Sequence, residues 1–302
     1  SLWMALGVVL ALATERERSG QRIFSLTVLG MMIYEPRWIY DISFQLSVAA
    51  TTGLIFSIPY LEETKGWKRF WKGPILFTLL SQGLSLPFLA AYFQQVSLIS
   101  VFSNLILVPI FQGVLILGLL GSLFSGIAIK VGEFFWIVSS LLLGLGLGGI
   151  RFFSSVSWSI LPLPSMGFWS GVVYYIGAIG IFLGLQLSSI RKKIWTVSFS
   201  GILLVGLFVW LTHPPSPNQL EIHMIDVGQG DSILIRTPKG KAILVDGGGI
   251  PYNKSGFDIG ERVVAPYLWS LGIRELDLTI ISHGDEDHSG GIGAVLARIP
   301  TQ

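Results

Sequence analysis

The chain has 302 residues, of which 51% are hydrophobic and only 13% are charged. Soluble domains carry about 25% charged residues, so the composition excludes an ordinary soluble protein and indicates an integral membrane protein. Cysteine is absent, which excludes disulfides and thiolate metal sites.

The net charge of +2 is divided unevenly along the chain. Residues 1–218 carry 13 Lys and Arg against 7 Asp and Glu, whereas residues 219–302 carry 7 against 11. This change in charge density marks a domain boundary, with a multi-span membrane domain predicted at 1–212, a proline-rich linker at 213–218 and a soluble domain at 219–302.

The first domain is built from apolar segments. A helix needs about 20 apolar residues to cross a bilayer, and in lipid its backbone groups must be satisfied within the segment. About eight spanning helices are predicted, the first of them cut short. They cover residues 1–14, 23–40, 42–61, 74–94, 98–121, 127–150, 168–189 and 194–212.

Three basic loops determine the predicted topology. They cover residues 15–22, 62–72 and 191–193, and an even number of spans separates each from the next. All three therefore lie on one side, which the positive-inside rule makes cytoplasmic. The last span then carries the chain across, so the acidic domain at 219–302 is predicted to be extracytoplasmic.

Three polar residues in or beside the spans stand out: Asp41, Gln45 and Asn104. Asp41 and Gln45, four residues apart, are predicted to share a helix face, and Pro109 is expected to break the helix that contains Asn104. Polar groups in lipid are costly. Two interpretations stay open, a polar lining of a conduction path and hydrogen bonds that hold helices together.

The C-terminal domain alternates strand and helix patterns. Strands are predicted at 220–227, 232–236 and 241–245, the last two joined as a hairpin by the turn at 237–240. A helix at 258–271, a buried strand at 276–281 and a helix at 290–297 follow. This order is typical of an antiparallel-to-mixed sheet faced by helices.

The last predicted strand leads into a cluster of potential metal ligands. Two histidines and two aspartates fall within six positions, and the chain has only four histidines. This scarcity favours a metal site over a solvated acidic loop, and the ligand types suit Zn or Mn, as one or two ions. We predict four ligands, with Asp287 also catalytic: His283, Asp285, Asp287 and His288.

Two further aspartates are predicted to support this site. Asp246 ends a strand in a glycine-rich turn, where it could orient a ligand, and Asp231 lies in a Gly-Gln-Gly-Asp turn. The glycines that follow Asp246 let the backbone approach closely. His223, in contrast, is interpreted as an ordinary half-buried strand residue.

The motif at 282–291 resembles the H-x-H-x-D-H motif of the metallo-β-lactamase superfamily, with Asp285 at the second histidine. That variant, together with Asp-Val-Gly-Gln-Gly-Asp at 226–231 and Asp-Gly-Gly at 246–248, is typical of the ComEC family of DNA-uptake proteins. Residues 40–47 and 103–109 resemble the membrane competence domain of the same family. The expected fold class is thus a polytopic α-helical membrane domain followed by a truncated α/β metallo-β-lactamase-like domain.

The resemblance implies an inner-membrane channel that passes single-stranded DNA into the cytoplasm, and an external nuclease domain that degrades the other strand. It implies DNA, the lipid membrane, other DNA-uptake machinery components and further copies of the chain (a homo-oligomer) as partners. The superfamily's remaining His and Asp ligands are expected beyond Gln302. We expect a fragment, and whether it is an enzyme by itself stays open.

Two other functions fit the residues. One is a membrane-anchored metallo-hydrolase of a small phosphodiester or ester, with the spans as scaffold. The other is a transporter whose external domain only binds. An anchored hydrolase is distinguished from a DNA channel by measuring DNA binding and ion conductance, which only the channel should show. A transporter that only binds is distinguished from both by its metal content. The acidity of residues 219–302 opposes binding of a polyanion such as DNA.

Overall fold

The computed structural model describes residues 20–62, 66–156, 158–212, 216–252 and 256–301. The predicted span at 1–14 and part of the predicted linker, residues 213–215, lie outside the described residues. The described chain forms two compact units. One contains the residues up to Leu86 together with Ser97–Leu161, and the other contains Pro87–Val96 with the residues from Pro162 onward.

The N-terminal part is helical. Its helices are α1 (Gly20–Tyr34), α2 (Ile42–Glu62), α3 (Trp67–Tyr92), α4 (Ser100–Ser125), α5 (Ile129–Ser154), α6 (Phe168–Gln186) and α7 (Ile190–Thr212). In the described part of the chain, five helices are long and apolar enough to cross a membrane, namely α3 from Trp71 onward and α4 to α7. The apolar stretch of α2, Ile42–Ile58, is shorter. The predicted polytopic α-helical domain is confirmed.

The prediction of one span over 23–40 is wrong, because the helix ends at Tyr34. Glu35 is extended, with φ −144°, and its carboxylate accepts a hydrogen bond from the Arg37 backbone N–H at 3.2 Å. Pro36 then begins a separate 3-10 turn. Proline disfavours helical geometry in the residue before it, which explains the break.

The predicted break at Pro109 is also wrong. Helix α4 runs from Ser100 to Ser125 with Pro109 inside it. Membrane helices tolerate proline because neighbouring groups satisfy the carbonyl that loses its partner.

Small residues bring the membrane helices close together. A Cβ on Gly132 of α5 would lie 2.8 Å from the Ser125 Cα at the end of α4. The Ser139 hydroxyl of α5 donates to the Val114 carbonyl of α4 at 3.0 Å. In the other unit, a Cβ on Gly177 of α6 would lie 2.7 Å from Leu204 of α7. Such close backbone approach is how helices associate in lipid, where hydrophobicity gives no driving force.

Strands β1 (Gln95–Ser97) and β2 (Ile160–Pro162) form a small two-stranded sheet. The C-terminal domain contains a four-stranded sheet in the order β3 (Glu221–Met224), β4 (Ile233–Arg236), β5 (Ala242–Val245) and β6 (Leu278–Ile280). The first three strands are antiparallel, and β6 is parallel to β5. The predicted mixed sheet and the hairpin are confirmed.

Helices cover one face of this sheet. They are a π-helical turn (Gly260–Val264), α8 (Ala265–Ser270) and α10 (Ile292–Leu296), while the short α9 (Glu286–Ser289) lies within the motif and has no buried residue. Leu234 and Leu244, paired in the register of β4 and β5, are fully buried beneath them with Leu268 and Val295. This continuous apolar core holds the ends of β5 and β6 in place.

The other sheet face carries exposed apolar side chains. Ile222 is 61% and Met224 68% exposed, while Leu278 and Ile280 are 46% and 41% exposed. The prediction that residues 276–281 form a buried strand is therefore wrong for Leu278 and Ile280. These residues alternate with the inward-facing ones, and hydrophobicity alone does not reveal that their face is uncovered.

Candidate metal centre

Two neighbouring strand ends build the site. Asp246 directly follows β5, and the motif from Ser282 follows β6 by one residue. Because β5 and β6 are parallel, their carboxyl ends meet at one edge of the sheet. The Asp246 backbone N–H donates to the Ile280 carbonyl at 2.8 Å. The sheet topology therefore brings together two segments that are far apart in sequence.

Asp246 is the anchor of the site. Its side chain is 5% exposed. One carboxylate oxygen accepts the Ser282 backbone N–H at 2.8 Å, and the other accepts the Ser282 hydroxyl at 2.6 Å and His288 Nδ1 at 3.1 Å. Burial acts to raise the pKa of Asp246, but these hydrogen bonds outweigh it and the pKa is lowered. Asp246 is thus an ionised carboxylate that fixes both ends of the motif.

The two motif histidines lie side by side. Their ring centroids are 4.0 Å apart. The hydrogen bond to Asp246 raises the pKa of His288, against the effect of burial, and in the neutral ring it keeps the proton on Nδ1 and the lone pair on Nε2. His283 has Nδ1 at 2.8 Å from the Ser282 hydroxyl and Nε2 at 3.5 Å from the Asp285 carboxylate. Both imidazoles are therefore oriented by neighbouring side chains.

The other predicted aspartates surround this pair. The Asp231 carboxylate lies 3.9 Å from His288 Nδ1 and is largely exposed, as is Asp285. Asp287 is half-buried in α9. The structure thus brings Asp231, Asp246 and His288 together, and separately places Asp285 beside His283.

Three glycines let neighbouring backbone segments pack closely against the motif. A Cβ on Gly230, Gly249 or Gly260 would lie 1.9 Å from the carbonyl oxygen of Asp287, Glu286 or Gly291, respectively. The sequence indicated close approach for the glycines beside Asp246, but it gave no role to Gly230 or Gly260. The positive φ of Gly230, +84°, agrees with the Gly-Gln-Gly turn signal.

The donor types suit a divalent metal, and the His288–Asp246 hydrogen bond is the arrangement found behind metal-bound histidines. However, in the part of the chain that the structure describes, no three His, Asp or Glu side chains converge closely enough to hold a metal ion. The described structure thus contains the Asp246–His288 hydrogen bond that would orient a ligand, but it does not bring three ligands together. The ligand roles of His283, Asp285, Asp287 and His288 stay predictions.

The side-chain contacts of His223 are with residues outside the motif. Its Nδ1 lies 2.9 Å from the Tyr267 hydroxyl and its Nε2 lies 3.3 Å from the Glu221 carboxylate. These contacts agree with its interpretation as an ordinary strand residue.

The polar membrane residues have structural contacts. Asp41 lies just before α2 and accepts the Phe44 N–H at 2.8 Å, so it caps the helix, and the prediction that it shares a helix face with Gln45 is wrong. The Gln45 amide donates to the Ile39 carbonyl at 2.7 Å, while its Oε1 is the one buried side-chain nitrogen or oxygen atom among the described residues without a hydrogen-bond partner. Asn104 Nδ2 lies 3.5 Å from the Thr78 hydroxyl of α3. A channel role for Asp41, Gln45 and Asn104 remains a prediction.

The fold and site define a polytopic membrane protein that carries a metallo-β-lactamase-superfamily domain, since the model of that superfamily matches residues 225–302. Membership of the metallo-β-lactamase superfamily suggests that this domain uses a divalent metal. The competence protein family model matches residues 1–188. The chain therefore belongs to the competence protein family.

Curated relatives agree with this assignment. ComE operon protein 3 of Bacillus subtilis is 29% identical over 94% of this chain and 37% of its own length. Recombination protein 2 of Haemophilus influenzae is 30% identical over 94% of this chain and 39% of its own length. Competence protein ComA of Neisseria gonorrhoeae is 28% identical over 72% of this chain and 28% of its own length. The chain thus spans well under half of these relatives, and no solved structure matches it.

Proposed function

We propose that this chain is part of a DNA-uptake channel for natural transformation, which passes single-stranded DNA across the inner membrane. An external metal-dependent nuclease domain would act on the other strand. The main support for this proposal is that one chain contains the competence domain and, after it, a domain of the metallo-β-lactamase superfamily. A relative that matches 72% of this chain is named as a competence protein. DNA, lipid, other uptake components and further copies of the chain are the proposed partners.

The proposed metal ligands are His283, Asp285, Asp287 and His288. The Asp246 carboxylate would orient His288, as it does in the structure, and Asp231 lies close enough to support it. One or two Zn or Mn ions fit these donors. When bound, a divalent ion supplies Lewis-acid stabilisation and a water of lowered pKa, and Asp287 is the proposed catalytic carboxylate.

Contacts within the second compact unit support an extracytoplasmic site. The Ser165 backbone N–H donates to the Ser270 carbonyl at 3.3 Å, and the Arg274 guanidinium donates to the Pro162 carbonyl at 3.4 Å. The α/β domain thus touches the segment just before α6. If α6 and α7 both span, that segment lies across the membrane from the basic loop at 191–193, which the positive-inside rule makes cytoplasmic.

Two histidine variants test the nuclease role in the full-length protein. His288→Ala should abolish metal-dependent DNA cleavage and lower the bound metal measured by elemental analysis. His223→Ala is the matched control, because its contacts are with Tyr267 and Glu221, and it should retain both. Equal cleavage and equal metal content in the two variants would show that the motif is not the metal site.

Cysteine labelling tests the orientation, because these 302 residues contain no cysteine that would compete for the label. Glu275→Cys, exposed in the α/β domain, should react with a membrane-impermeant maleimide in intact cells. Lys192→Cys, in the first turn of α7, should react only after permeabilisation. The reverse pattern contradicts the proposed orientation.

The alternative is a membrane-anchored hydrolase of a small phosphodiester or ester. The exposed carboxylates of Asp231 and Asp285 beside the histidines favour it, since they repel a polyanion more than a small substrate. Conductance and DNA binding by the reconstituted full-length protein distinguish the two, because a simple anchored hydrolase shows neither.

A further inference from the structure

The loop that leaves β5 is attached directly to the motif. Gly249 packs so closely that a Cβ there would lie 1.9 Å from the Glu286 carbonyl oxygen. Three residues later, the Tyr252 backbone N–H donates to the Glu286 carboxylate at 2.7 Å. Glu286 comes two residues before His288, so their Cα atoms are within about 8 Å of each other. Tyr252 is therefore held beside the candidate metal centre.

The Tyr252 side chain is displayed to solvent. It is 88% exposed, the highest fraction of any large hydrophobic side chain among the described residues. Its φ of +55° is an uncommon conformation for a residue with a bulky side chain. Such conformations persist where surrounding contacts impose them, and they cluster at functional sites. Here the backbone N–H of Tyr252 is held by the Glu286 carboxylate, and the exposed ring gains no burial from this conformation.

The charge around the motif limits how a nucleic acid could bind there. Asp231 and Asp285 expose 59% and 77% of their side chains, and Glu286 is exposed beside them. Phosphate recognition normally relies on Lys and Arg. In the described part of this domain three such side chains are paired with carboxylates: Arg236 with Glu221, Lys241 with Asp277 and Arg298 with Glu261. Stacking of a base on an aromatic ring needs no positive charge and tolerates any sequence.

We propose that Tyr252 is a base-stacking residue that holds a nucleobase of single-stranded DNA beside the motif. This inference rests on the proposed function and adds a way in which an acidic site retains its polyanionic substrate. Stacking and metal ions, rather than basic side chains, then position the strand.

The test measures binding of a single-stranded oligonucleotide that contains 2-aminopurine, whose fluorescence is quenched by stacking, to the detergent-solubilised full-length protein. Tyr252→Ala should raise Kd about 5- to 150-fold, the range expected from the loss of one base–aromatic stack. Tyr252→Phe and Tyr252→Trp should bind and quench like the wild type. Met224→Ala, which removes another exposed side chain of the same domain, is the control and should not change Kd.

Two further measurements separate the ring from the backbone. Tyr252→Gly relieves the positive φ and should lose as much affinity as Tyr252→Ala. An abasic oligonucleotide should bind wild type and Tyr252→Ala equally. If Tyr252→Ala or Tyr252→Gly binds the base-containing strand as tightly as the wild type, the stacking role is refuted while the proposed function stands. If the wild type binds no DNA at all, the proposed function itself fails.

Discussion

Gly230 offers the sharpest test of how the motif is held in place. In Gly230→Ala the new Cβ would lie 1.9 Å from the Asp287 carbonyl oxygen and 2.6 Å from its carbon. Real Cβ contacts are essentially never under 3.0 Å, so the turn or the motif must shift by about 1 Å. Both opposing atoms belong to the backbone, so a change of rotamer cannot relieve the clash.

Gly228→Ala is a matched control in the same turn. Gly228 and Gly230 have φ of +78° and +84°, but a Cβ on Gly228 would meet nothing within 4 Å. Both variants carry the left-handed strain of about 1–2 kcal/mol. Only Gly230→Ala adds overpacking, which costs about 1–3 kcal/mol more.

The assay compares hydrogen exchange of residues 282–291 and DNA cleavage in the two full-length variants. A displacement of about 1 Å at a reacting centre can cost about 10²-fold in rate. Gly230→Ala should therefore expose the motif amides and lose cleavage by about that factor, whereas Gly228→Ala should stay near wild type. Equal behaviour of the two variants would refute the role of the close Gly230–Asp287 packing.

The remaining predictions concern the sheet and the membrane helices. The hydrogen bond from Lys241 lowers the pKa of Asp277. The ionised Asp277 carboxylate therefore stabilises the fold above about pH 4, its pKa in the unfolded chain, and this stabilisation fades as the pH falls below that value. Asp277→Asn should thus reduce hydrogen-exchange protection of β5 at neutral pH but not in acid, and equal loss at both contradicts the pairing. In Gly132→Ala the new Cβ would lie 2.8 Å from Ser125 backbone atoms, so this variant should have a lower melting temperature in detergent. Gly148→Ala is the control, because its Cβ would meet nothing within 4 Å. Equal melting temperatures would contradict the close packing of Gly132 against Ser125. Asn104→Ala should block DNA uptake while the protein still reaches the membrane, and unchanged uptake would leave Asn104 a packing residue.

Local patterns predicted much of the α/β domain. Strands β3, β4 and β5 lie within the segments at 220–227, 232–236 and 241–245, because alternation and glycine-rich turns are short-range signals. The clustering of His283 with His288 also follows from their spacing in sequence.

Non-local contacts could not be predicted in this way. The parallel pairing that brings Asp246 to Ser282, the closure of Gly260 on Gly291 and the attachment of Tyr252 to Glu286 all join distant segments. Hydrophobicity along the chain also failed to detect the break at Glu35. A window average does not register the backbone restriction that Pro36 imposes on the residue before it.

The most direct test follows the two strands of a duplex separately during uptake. Each strand carries its own label, and cells that make the full-length protein are compared with cells that carry His288→Ala. The account predicts that one strand enters intact while the label of the other is released outside as nucleotides, and that the variant loses this release. Entry of both strands, or undiminished release in the variant, would contradict a DNA channel with an external metal-dependent nuclease.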